Sequence, residues 1–102
     1  MTKPILDKAE VALEYPDKFY SGTFERSSRF EAHFDATGVA LLLEQSGSPD
    51  VRKSVHIHMH YGLFADVHDQ LAASAAQIPG DSIARDHLRR AANAMQKAIE
   101  EA

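Results

Sequence analysis

Cysteine is missing from this 102-residue chain. Disulfides, thiolate nucleophiles and sulfur-ligated metals are excluded with it. Positive charge is scarce: 11 Lys and Arg stand against 15 Asp and Glu, a net charge of −4 with histidine neutral. Nucleic acid and anionic membrane both demand clustered positive charge, so neither is an expected partner. Aromatics do not interleave with basic residues as RNA recognition requires. No glycine-rich phosphate loop is present. Ser27 and Ser28 have no base at a recognisable spacing, which leaves serine nucleophilic catalysis without support. Long apolar runs are missing as well. The stretch from Met1 to Asp7 has no apolar run of signal-peptide length, and nothing approaches a membrane span. A cytoplasmic location is the expectation.

What is present is ordinary in bulk. A content of 44% hydrophobic and 25% charged residues belongs to a globular protein. The length predicts one small domain over 1–102, able to bury a core without disulfide or metal. The unusual stretch is Val55-His56-Ile57-His58-Met59-His60-Tyr61. Val55, Ile57, Met59 and Tyr61 alternate with His56, His58 and His60, the pattern of a half-buried strand. One face joins a core and the other carries three imidazoles in a row.

The rest of the chain supplies neighbours for that strand. Residues 1–7 read as a frayed lead-in. Lys8 to Tyr15 alternates as a strand, and Tyr15-Pro16-Asp17-Lys18 is a turn. Phe19 to Glu25 follows, with Gly22 suggesting a bulge or a close backbone approach. Whether 19–34 is one bent strand or two stays open. Phe30, Ala32 and Phe34 alternate with Arg29, Glu31 and His33. Asp35-Ala36-Thr37-Gly38 is a turn, with Gly38 expected at positive φ. Val39, Leu41 and Leu43 then alternate with Ala40, Leu42 and Glu44. Ser46 to Asp50 is a loop. Leu63 to Ile78 shows helical spacing, Pro79-Gly80 breaks it, and Asp81 or Ser82 caps a second helix running to about Glu100. The stripe of that helix is Ala84, Leu88, Ala91, Met95, Ala98 and Ile99.

The expected fold class is α+β. An antiparallel meander of four to five strands over 8–61 precedes two C-terminal helices over 63–100, packed on one sheet face. Matching apolar faces fixes the register. Phe34 pairs with Val39, Ala32 with Leu41 and Phe30 with Leu43; then Leu43 with Val55, Leu41 with Ile57 and Val39 with Met59. On the other face two rows follow, His33–Ala40–His58 and Glu31–Leu42–His56, with Ala40 a low floor between two histidines.

Histidines on one strand invite a metal. Residues i and i+2 lie about 6.7 Å apart, so neighbours can share an ion, which imidazole binds to zinc at about 2.0–2.1 Å. A site would use His58 with His56 or His60, and His33 as the third ligand from the adjacent strand. Glu31 is the nearest acid for a general base in a catalytic version. The bland reading is a polar sheet surface, open or facing a partner. A third reading is a proton switch made of the three neighbouring imidazoles with Glu31 nearby; separately, protonating all six histidines would carry the net charge from −4 to +2. The His-x-His pair resembles the cupin ligand pattern, which expects a Glu a few residues on. Tyr61, Gly62, Leu63 and Phe64 stand there instead and the later chain is helical. The His-x-His-x-Asp-His run of metallo-β-lactamase-like hydrolases fails in the same way, since Tyr61 follows His60.

The favoured expectation is a non-enzymatic binding or interaction module that self-associates, most simply as a homodimer, with no cofactor. The polar sheet face is interrupted by Ala12, Ala40 and Leu42, flat and partly apolar. The alternative is a metal-binding protein, or a small metal-dependent enzyme, holding zinc or a similar divalent ion at His58, His56, His60 and His33.

Overall fold

The structure, a computed structural model, describes residues 2–45, 53–80 and 83–101. It is the expected α+β arrangement of antiparallel strands followed by two C-terminal helices. The strands are β1 (Lys3–Pro4), β2 (Ala9–Tyr15), β3 (Lys18–Phe24), β4 (Ser28–Phe34), β5 (Gly38–Gln45) and β6 (Lys53–His60). The helices are α1 (Tyr61–Ala73) and α2 (Ile83–Glu101), with a short 3₁₀ turn at Ala75–Gln77 between them. The expected loop at 46–50 and the capping residues Asp81 and Ser82 lie outside the described residues. Contacts divide the chain into two units, Met1–Phe64 and Ala65–Ala102.

In the first unit the strands form two sheets. One has four strands in the order β1-β4-β5-β6; the other is the β2-β3 hairpin. The β4-β5-β6 meander has the register dictated by its alternation. Phe34 pairs with Val39, His33 with Ala40 and Phe30 with Leu43; Ala40 pairs with His58 and Leu42 with His56. A slip of one residue against β4 would set Leu41 opposite Glu31 or His33 and Leu43 opposite Arg29 or Glu31, which is why the pattern suffices.

Three local expectations change. The described part of the expected frayed lead-in, residues 2–7, is tied to the sheet. Lys3 pairs with Phe30 and Pro4 with Arg29, so proline sits on an edge strand, where its missing N–H costs nothing. Arg29 grips the segment from the side, its Nε and Nη2 donating to Thr2 Oγ1 at 2.9 Å and Thr2 O at 2.8 Å. Ile5 then turns into the interior, 8% exposed, and its N–H donates to Ser28 O at 3.0 Å. Gly22 marks neither a bulge nor a close approach: it pairs in regular register with Val11, and a Cβ there would meet side-chain atoms no nearer than 3.8 Å. Gly38 is needed for another reason than positive φ, which no described residue adopts. A Cβ at Gly38 would collide with Met59 O and stand 2.9 Å from the His60 Cα. The glycine lets two backbones meet. Residues 19–34 are two strands with different partners, parted at Glu25, Arg26 and Ser27.

The interior of the first unit gathers at Ile5, Phe24 and Ser28, the last two only 2% and 1% exposed. The middle strand β5 is half-buried along its length beyond Gly38. In the second unit, Arg85 donates from Nη2 to Ile78 O at 3.0 Å, tying the start of α2 to the end of the 3₁₀ turn. Among the described residues no helix is long and apolar enough to cross a membrane.

Candidate functional site

The histidine row lies where alternation placed it. His33 on β4 and His56 and His58 on β6 flank β5, whose Ala40 and Leu42 form the floor. Small and apolar side chains between imidazoles leave a depression of about 350 Å³, bordered by Glu31, His33, Ala40, Leu42, His56 and His58. Glu31 stands beside His33, with its Oε1 3.7 Å from His33 Nδ1. His60 lies beyond this depression, next to His58; their ring centroids are 5.4 Å apart and the rings meet edge to face.

His58 is the best-anchored of the four. Its Nε2 lies 3.0 Å from Asp35 Oδ2 and 3.3 Å from Asp35 Oδ1, with Thr37 Oγ1 also at 3.3 Å. Asp35 belongs to the turn that joins β4 to β5. Its Oδ1 accepts the N–H groups of Thr37 and Gly38, each at 2.9 Å, and the Thr37 hydroxyl at 3.2 Å. That is an Asx turn, in which a short carboxylate satisfies backbone donors two and three residues on. The Tyr61 hydroxyl donates to Asp35 O, drawing the first residue of α1 onto the same turn. Phe34 packs against the rings of Tyr61 and Phe64 at centroid distances of 6.1 and 6.2 Å.

These contacts set the charge state of the turn. The N–H groups of Thr37 and Gly38 hold the Asp35 carboxyl down at about 2, against an ordinary 3.8, with smaller help from His58 and the Thr37 hydroxyl. Asp35 is therefore a carboxylate across the physiological range. It fixes the His58 ring by its Nε2 and leaves Nδ1 for another partner.

As a metal centre the arrangement is partial. Among the described residues no three His, Cys, Asp or Glu groups converge on one point at ligand spacing. His58 and His60 are adjacent, whereas structural zinc takes four ligands and catalytic zinc three from protein. His33 and His56 border the depression with His58 without closing on it. Chemically, the site offers one oriented imidazole, a carboxylate behind it and a shallow apolar floor.

The site residue that alternation does not reveal is Asp35. A signal exists: Asp at the first position of a turn, with Thr two and Gly three residues on, is the Asx pattern. Its reach to His58 needs the tertiary path of the turn. The link from Tyr61 likewise depends on where α1 starts, one residue before Gly62. Compared with family models, curated proteins and solved structures, the chain matches none.

Proposed function

We propose that this chain is a non-enzymatic interaction module that works as a self-associated assembly, in the simplest case a homodimer. The observation that carries the reading is where apolar side chains lie. Among the described residues Ile5 and Phe24 are the buried hydrophobics, while Leu13, Phe19, Tyr20, Leu71, Leu88 and Ile99 are 49–65% exposed. Fully burying one such side chain is worth about 1.5–3 kcal/mol. Exposed apolar side chains that join into a contiguous patch mark an interaction site, and a second copy can cover such a patch symmetrically. The anchored Asp35–His58 turn fits this reading as a brace for the β4-β5-β6 meander. Sedimentation velocity on untagged protein tests it, with a dimer or larger assembly expected. A monomer up to high micromolar concentration removes it.

A second reading has its own support. His58 has one ring nitrogen, Nε2, held by the Asp35 carboxylate, as metal-bound imidazoles commonly have on the nitrogen that does not bind the metal, and His60 lies beside it. Native mass spectrometry before and after chelation, then with added Zn²⁺, tests this. A stoichiometric adduct lost in His58→Ala supports it. An adduct that survives the substitution, or none at all, rejects it.

A further inference from the structure

Leu88 and Met95 lie seven residues apart on α2, and Ala84, Ala91 and Ala98 recur at the same interval before, between and after them. The resulting steps of four, three, four and three are a coiled-coil seam with large residues at one core position and alanine at the other. The seam is open. Leu88 is 52% and Met95 38% exposed, and α2 has no buried residue. Among the described residues α1 and α2 share no extended contact that would cover it.

The order of side chains selects an orientation. Parallel pairing would stack leucine on leucine and alanine on alanine, giving layers alternately full and thin. Antiparallel pairing sets Leu88 on the partner's Ala98 and Met95 on the partner's Ala91. The four layers built on Leu88, Ala91, Met95 and Ala98 then each hold one large and one small side chain, which lets the axes approach to about 8 Å.

Charge selects the same orientation. The amino-terminal half of α2 carries Arg85, Arg89 and Arg90 against Asp86, while the last turn holds Glu100 and Glu101 and no basic residue. Carboxylates at a helix C-terminus oppose the macrodipole, so these two destabilise an isolated α2. In an antiparallel pair they sit beside the amino end of the partner helix, where negative charge stabilises. Glu101 then lies across from the partner's His87.

We infer, resting on the self-association proposed above, that α2 is the associating surface. It pairs antiparallel with α2 of a second copy through Ala84, Leu88, Ala91, Met95 and Ala98. The seam from Ala84 to Ala98 spans about 21 Å of α2.

Sedimentation of the full chain is the test, with circular dichroism reporting the fold. Leu88→Asp should abolish the dimer. The surface double variant Glu100→Lys/Glu101→Lys guards against misfolding, because the two explanations give opposite signs. Within a lone helix it relieves the macrodipole and raises stability; in the antiparallel pair it weakens dimerisation by about tenfold or more. Ile83→Cys, off the seam and exposed, places the chain's sole thiol for a spin label. The labelled positions should be offset by about 30 Å along the pair, and labels level with each other would mean parallel helices. A wild-type monomer overturns this assignment together with the reading beneath it. A dimer indifferent to both Leu88→Asp and the lysine variant leaves self-association standing and removes α2 as its surface.

Discussion

Asp35 does the most with the fewest atoms. One carboxylate closes the β4–β5 turn through two backbone N–H groups and orients His58. Because the folded chain holds this carboxyl at about 2, below its ordinary value, the ionised form is what folding favours. Its stabilisation is present in full above about pH 4 and is lost as pH falls toward about 2. Urea midpoints measured across that range should fall steeply for the wild type and more gently for Asp35→Asn. Asp35→Ala should lower the midpoint at neutral pH as well, because the turn N–H groups lose their acceptor. Ser28 is the opposite case. Its hydroxyl oxygen is buried without a hydrogen-bond partner, so Ser28→Ala should leave stability unchanged or raise it in the same measurement.

Elements were legible where they repeat. Three consecutive strands with apolar residues at every second position admit one register, and Ala40 between His33 and His58 could be placed from the alternation alone. A two-residue strand has no period, and a proline within it argues against a strand, so β1 could not be read. Nor does alternation name a partner: it marks β2 and β3 as strands without saying that they form a sheet of their own. What holds β1 is Ile5 in the interior and the Arg29 fork. Ile5→Ala should therefore cost about 2–5 kcal/mol of unfolding free energy. Hydrogen exchange should quicken first at the Ile5 N–H, which donates to Ser28 O.

At the scale of the molecule, exposed leucines, phenylalanines and isoleucines are spread over strands and helices alike. If assembly covers them, stability is linked to concentration by mass action. The thermal midpoint of the wild type should rise with protein concentration, and Leu88→Asp should flatten that dependence. Composition could not foretell this, because 44% hydrophobic residues fit a closed monomer as well as a subunit. Pattern came closer, since the alanine–leucine–methionine stripe of α2 is visible in the sequence. The solvent exposure of Leu88 and Met95 comes from the structure.

The close approach of the β5 and β6 backbones at Gly38 has a consequence for how this protein can vary. The atom that does not fit there is Cβ, which every other amino acid carries. Elsewhere on the sheet a substitution is filtered by size, charge or polarity, and a neighbour can compensate. At position 38 the filter ignores all three properties. In a saturation mutagenesis screen scored by folding, chemically unlike replacements should fail there alike, and second-site repair should have to come through the backbone.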